Sequence, residues 1–146
     1  MIINILIGFS VMVVCLMVQL VLLVYAIRYY FKHRFQANPS SVLPDLGVIS
    51  GVMLLLLIGN LGQIGVWAML FMFLGEFELF ANAFYHSAVN FGSLGYGDIV
   101  MSKEHRLLGA LEAINGVLMV GVSTAALMTP FKDAIQTAMK TRKDHG

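Results

Sequence analysis

The stretch 90-NFGSLGYGDIV-100, from Asn90 to Val100, sets Gly92, Gly95 and Gly97 around Ser93 and Tyr96 and closes on Asp98, between two long apolar segments. Irregular polar backbone at membrane depth is tolerated only where protein covers it or where it lines a water-filled path. Glycine at 95 and 97 permits positive φ, so successive carbonyls can turn to one side while alternate side chains keep to the other. The expected product is a stack of oxygens from Ser93 to Asp98. A cation that has shed its water finds replacement ligands in such a stack when several chains supply it around one axis.

The rest of the chain supplies the membrane. Of 146 residues, 59% are hydrophobic and 12% charged, which puts the chain in the integral membrane class rather than among soluble domains. Three runs are long enough to cross a bilayer: Met1 to Ile27 without a charge, Leu46 to Gly75, and Leu107 to Phe131, which contains one acid, Glu112. Twenty-seven helical residues reach roughly 40 Å, more than the ~30 Å hydrocarbon core. The first run lacks the positive flank of a secretory signal and is read as a retained helix. Arg28, Lys32 and Arg34 follow the first run, and Lys132, Lys140, Arg142 and Lys143 follow the third, while only Lys103 and Arg106 lie between the second and third. That asymmetry predicts a cytoplasmic linker over 28–45, a cytoplasmic tail over 130–146, and an outward-facing N-terminus. With Pro39 and Pro44 the linker reads as a juxtamembrane turn, and its basic cluster is a candidate site for anionic lipid.

Glu76 to Asn90, EFELFANAFYHSAVN, is too short to span, yet aromatic and apolar. With Glu76 and Glu78 suited to a helix N-terminus, it reads as a re-entrant helix whose carbonyl end points toward the bilayer centre. SLGYGD, after this helix and before the third span, resembles the TVGYGD filter signature of the potassium channel pore family, and the resemblance runs over Leu79 to Leu127. In a chain of this composition a GYGD tetrapeptide arises by chance on the order of one time in a thousand.

The resemblance implies that the backbone carbonyls of Ser93, Leu94, Gly95 and Tyr96, with the Ser93 hydroxyl innermost, are the K+ ligands, that Gly97 closes the turn and that Asp98 caps the outer mouth. Ser93 stands where the family has threonine, Leu94 where it has valine and Gly92 where it often has a second threonine. The lost methyl at Ser93 loosens the hydroxyl rotamer and leaves a weakly selective cation pore open as an alternative. Tyr85 and His86 occupy the places of the aromatics that brace the filter, with Asp98 and the Tyr96 hydroxyl as expected partners. Gly116 stands at the place of the inner-helix hinge, and equally suits close helix contact. Helical spacing from it puts Val117, Val120, Thr124 and Met128 toward the pore.

Glu112, alone among ionisable residues well inside a span, calls for a partner. Asn90, Ser87 and His86 are the candidates for a clamp behind the filter, with Asn115 beside it, and a direct role in the ion path is the competing reading. Gly59, Gly62 and Gly65, about one turn apart on the second span, predict a face that meets the first or third span. In the tail, Phe131, Ile135, Ala138 and Arg142 recur at helical spacing, which suits either a cytoplasmic bundle or a solvated terminus.

The expected fold is therefore an all-α membrane protein. It has a peripheral helix over 1–27 and a pore domain over 46–129 with outer helix, re-entrant pore helix, filter loop and inner helix. Because one filter strand cannot enclose an ion, the expected unit is a homotetramer, each chain partnered by three identical subunits and by membrane lipid. The expected function is passive potassium conduction across the plasma membrane, and a non-conducting partner subunit or scaffold is the further alternative. His33, His86, His105 and His145 show no metal-site spacing and Cys15 is single, so neither an enzyme nor a metal site is expected. No cofactor beyond the permeant K+ and no nucleic-acid partner is expected.

Overall fold

The computed structural model describes residues 1–34 and 42–144. Within them every regular element is an α-helix: α1 (Ile2–Arg34), α2 (Val42–Phe73), α3 (Phe80–Phe91) and α4 (Arg106–Asp144). α1, α2 and α4 are long and apolar enough to cross a membrane. α3, with 12 residues, reaches only about 18 Å.

The helices overrun the boundaries expected of them. α1 continues through Arg28 and Lys32 to Arg34, and α2 is already helical at Val42, so much of the 28–45 linker is helix rather than turn. Pro44 falls in the first turn of α2, where a missing N–H costs no hydrogen bond. Pro39 lies outside the described residues. At the other end α4 runs without interruption from Arg106 through Pro130 to Asp144, so that the tail is a direct extension of the third span.

α1 and α4 run parallel, tied at both ends. Near the first, Asn4 Nδ2 donates to the Glu104 carbonyl at 2.5 Å; near the second, the Tyr30 hydroxyl donates to Asp133 Oδ2 at 2.6 Å. α1 packs against both α2 and α4. The glycine stripe on α2 divides: a Cβ at Gly59 would lie 2.2 Å from Leu22 of α1 and one at Gly65 4.0 Å from Phe84 of α3, while Gly62 faces open space.

Trp67 and Phe71 on α2, Phe91 on α3, Leu108 and Met119 on α4 and Cys15 on α1 make the principal core. α3 is wedged into it, with the Phe71 ring 5.9 Å from Trp67 and 5.7 Å from His86. A fully buried phenylalanine at such a junction is costly to truncate. Phe71→Ala should lower stability in detergent by about 3–5 kcal/mol, whereas truncating the exposed Leu57 should leave the unfolding midpoint near wild type.

Candidate functional site

The glycine-rich stretch leaves α3 through its C-terminal cap. The Ser93 N–H bonds the Asn90 carbonyl at 2.8 Å and the Leu94 N–H bonds the Val89 carbonyl at 2.9 Å, which is the paired closure of a Schellman motif. α2 ends in the same way, with Gly75 N–H on Met72 O and Glu76 N–H on Phe71 O, both at 3.0 Å. The left-handed residue of the motif is Gly75 in α2, at φ 74°, but Ser93 in α3, at φ 55°. A non-glycine residue held there costs about 1–2 kcal/mol, and such strain tends to collect at functional sites. Gly92, one residue earlier, has an ordinary right-handed φ of −76°.

Positive φ then recurs at every second residue, Ser93, Gly95 at 60° and Gly97 at 73°. The two glycines are legible in the sequence and Ser93 is not. Ser93, Leu94, Gly95, Tyr96, Gly97 and Asp98 are all exposed in the single chain.

The far end of the stretch is anchored to α3. The Tyr85 hydroxyl donates to Asp98 Oδ2 at 2.7 Å, and Asp98 Oδ1 accepts the Ile99 N–H at 3.0 Å. The Tyr85 hydroxyl, with help from that N–H, holds the Asp98 carboxyl below its ordinary range, and the same hydrogen bond pushes the Tyr85 phenol up. His86 does not reach the Tyr96 hydroxyl. Its Nδ1 lies 2.8 Å from the Ile99 carbonyl and its Nε2 2.8 Å from Asn90 Nδ2. A carbonyl can only accept, so Nδ1 carries the hydrogen and Nε2 accepts from the Asn90 amide. Local partners one turn away and just past Asp98 consume both nitrogens.

Behind α3, Glu112 is fully buried and meets Ser87 through Oε1. The Ser87 hydroxyl also lies 2.9 Å from the Ile64 carbonyl, so one small side chain joins α2, α3 and α4. Asn115 is fully buried as well. Gly116 abuts the end of α3: a Cβ there would lie 2.0 Å from the Phe91 carbonyl oxygen. Close contact is therefore what the structure exhibits at this glycine. Val117, Val120 and Met128 are 62%, 46% and 54% exposed, and Thr124 is exposed with its hydroxyl turned back to the Val120 carbonyl at 2.9 Å. These four form an unpartnered row on α4.

One cluster has no counterpart in the sequence pattern. Glu76 lies before α3 rather than in its first turn, and Oε2 accepts the Ser102 N–H at 2.7 Å while Oε1 accepts from the Ser102 hydroxyl and from His105 Nδ1, both at 2.6 Å. It pins the segment after the glycine-rich stretch to the end of α2. The partners lie 26 and 29 positions away in the chain, so no local pattern announces them.

A family model described as Ion channel matches residues 51–133. The chain belongs to the ion channel family. The match takes in most of α2, all of α3, the glycine-rich stretch and α4 as far as Asp133, and leaves α1 outside. No curated protein and no solved structure is significantly similar to the chain. The channel domain thus contains the whole Ser93–Asp98 stretch together with its anchors.

Two outcomes follow from this geometry. Gly116→Ala drives a methyl into the Phe91 carbonyl, and backbone cannot yield as a side chain can. It should cost about 1–3 kcal/mol or more, read as a lowered unfolding midpoint, whereas Gly121→Ala, where a Cβ meets nothing within 4 Å, should not. The second concerns Glu76. Burial alone would raise its carboxyl, but the bonds from Ser102 and His105 outweigh it and bring the group below 4.5. A carboxyl lowered on folding contributes stability above its unfolded value and loses it as pH falls through the folded one. Between about pH 7 and pH 3, therefore, Glu76→Gln should lose less stability than wild type; equal losses would mean that the cluster contributes nothing.

Proposed function

We propose that the protein is a potassium channel in which four copies surround one axis and the carbonyls of Ser93, Leu94, Gly95 and Tyr96 bind K+ as the permeant ion. The observation that carries this reading is the alternation of positive φ at Ser93, Gly95 and Gly97 in a stretch anchored at both ends and exposed between them. Alternating backbone handedness turns successive carbonyls to a common side, which a single chain has no use for and a ring of four can use. The exposed row Val117, Val120, Thr124 and Met128 supports α4 as the pore-lining helix below the filter. Asp98, held by Tyr85, stands at the outer mouth, and Glu112 acts as a clamp behind it through Ser87.

Orientation rests on charge. Arg28, Lys32 and Lys132 belong to the end marked by the Tyr30–Asp133 bond, opposite the filter, and the positive-inside rule assigns that end to the cytoplasm of the plasma membrane. Arg28 and Lys32 are exposed and available to anionic lipid headgroups.

Purified protein in liposomes decides the matter. K+ flux should exceed Na+ flux, and the protein in mild detergent should be tetrameric. Gly95→Ala, which forces a side chain into the left-handed region at a cost of about 1–2 kcal/mol per chain, should abolish selective flux while insertion persists. Equal K+ and Na+ flux through wild type would replace this reading with the weakly selective cation pore, and no flux at all with the non-conducting subunit.

A further inference from the structure

Four polar side chains cross the interior where α1, α2 and α4 meet. Gln19 Nε2 on α1 donates to Ser123 Oγ on α4 at 2.9 Å, and Gln63 Nε2 on α2 donates to Gln19 Oε1 at 2.7 Å. Asn60 Nδ2 approaches Ser123 Oγ at 3.3 Å, and Ser123 itself donates to the Met119 carbonyl at 2.9 Å. Gln19, Gln63 and Ser123 are 2%, 0% and 7% exposed. Amides this deep in apolar spans are unfavourable unless paired; here Gln19 and Asn60 meet on one hydroxyl of α4, and Gln63 reaches it through Gln19.

That hydroxyl is placed where it bears on conduction. Ser123 is next to Thr124 and three residues after Val120, both in the exposed row. Above it α4 is already fixed to α3, by Glu112 on Ser87 and by Gly116 against Phe91. Below it, until Tyr30 meets Asp133, the seam between α1 and α4 is loosely filled by a cavity of about 390 Å³, lined in part by Leu23, Ala26, Val122, Ala126 and Pro130. Val122, Ala126 and Pro130 are each two residues beyond Val120, Thr124 and Met128, about 200° around the helix. The cavity therefore backs the side of α4 opposite its exposed row. Pro130 also leaves the Ala126 carbonyl without its helical N–H donor, which weakens the helix beside the same cavity.

We infer that Gln19 is a positioning residue for conduction: through Ser123 it makes α1, the helix outside the channel-family match, set where the pore-lining row of α4 stands. The inference rests on the reading of α4 as the pore-lining helix. A helix held only by apolar contact can slide or tilt along its neighbour, whereas a buried amide-to-hydroxyl bond admits one register.

The test uses the full chain in planar bilayers, with open probability, unit conductance and reversal potential recorded for Gln19→Leu, Ser123→Ala and the double variant. Leucine nearly preserves volume and removes both hydrogen bonds. Open probability should change about tenfold in each single variant, with no further change in the double variant because the two residues act as one unit. Reversal potential should stay at the wild-type value, since the filter is untouched. Wild-type open probability in Gln19→Leu, or single effects that add in the double variant, would overturn the inference. A spectroscopic arm does not depend on conduction. Nitroxides at Leu57 and Met128, in a Cys15→Ala background diluted with unlabelled chains, should give a distance distribution that shifts or broadens in Gln19→Leu. If wild type passes no ions the channel reading fails, and an unchanged distance in this arm then overturns the positional role as well, while a shifted one sustains it.

Discussion

The contact on which the remainder depends is that between the Phe91 carbonyl and Gly116. At the end of a short helix the last carbonyls have no partner within the helix, and here that end is pressed against α4 at a residue with no side chain. The contact fixes the depth of α3, while Ser87, between Ile64 and Glu112 one turn earlier, fixes its rotation. With depth and rotation set, the cap at Ser93 and Leu94 turns the chain away from the helix axis along a single path. Any larger residue at 116 would push against the end of α3, where the glycine-rich stretch starts.

Three spans and a short helix before a glycine-rich turn are legible in the sequence because membrane thickness and backbone chemistry leave their marks locally. The apolar runs set the helices, and Gly95 and Gly97 mark positive φ by residue type alone. Legibility ends where a residue's partner is distant. Glu76 reads as a helix-start acid by position, but Ser102 and His105 claim it, and α3 begins only at Phe80 from an extended Leu79 without a side-chain cap. The family resemblance aims His86 at Tyr96, but its nearer partners are Asn90 and the Ile99 carbonyl. Ser93 in the left-handed region has no sequence signal, since propensity alone assigns that conformation to glycine.

The N-terminal helix illustrates the same limit from the other side. By composition α1 is a predominantly apolar span, and Gln19, between Ser10 and Arg28, carries no periodicity that would set it apart. Only when α2 and α4 are packed beside it do Gln63 and Ser123 appear as its partners. Polar residues in a span are informative mainly as a set, and the members here come from positions more than forty residues apart in the chain.

The glycine-rich stretch is itself held in an unequal way. Its first end is closed by two cap hydrogen bonds, its second by Tyr85 on Asp98 and His86 on the Ile99 carbonyl, and between these the backbone has little else. A Cβ built on Gly95 or Gly97 would meet nothing within 4 Å, and Leu94 and Tyr96 are 57% and 65% exposed. Positive φ is free of steric cost at Gly95 and Gly97 but leaves those residues many other conformations, so an exposed loop with few contacts holds one alternating backbone only against its conformational entropy. Under the proposed assembly the missing support comes from neighbouring copies: their side chains cover Leu94 and Tyr96, and a bound cation draws together carbonyls that would otherwise repel. Ion occupancy and subunit contact then stabilise the same backbone, so depleting the permeant ion should weaken the assembly as well as the conduction path.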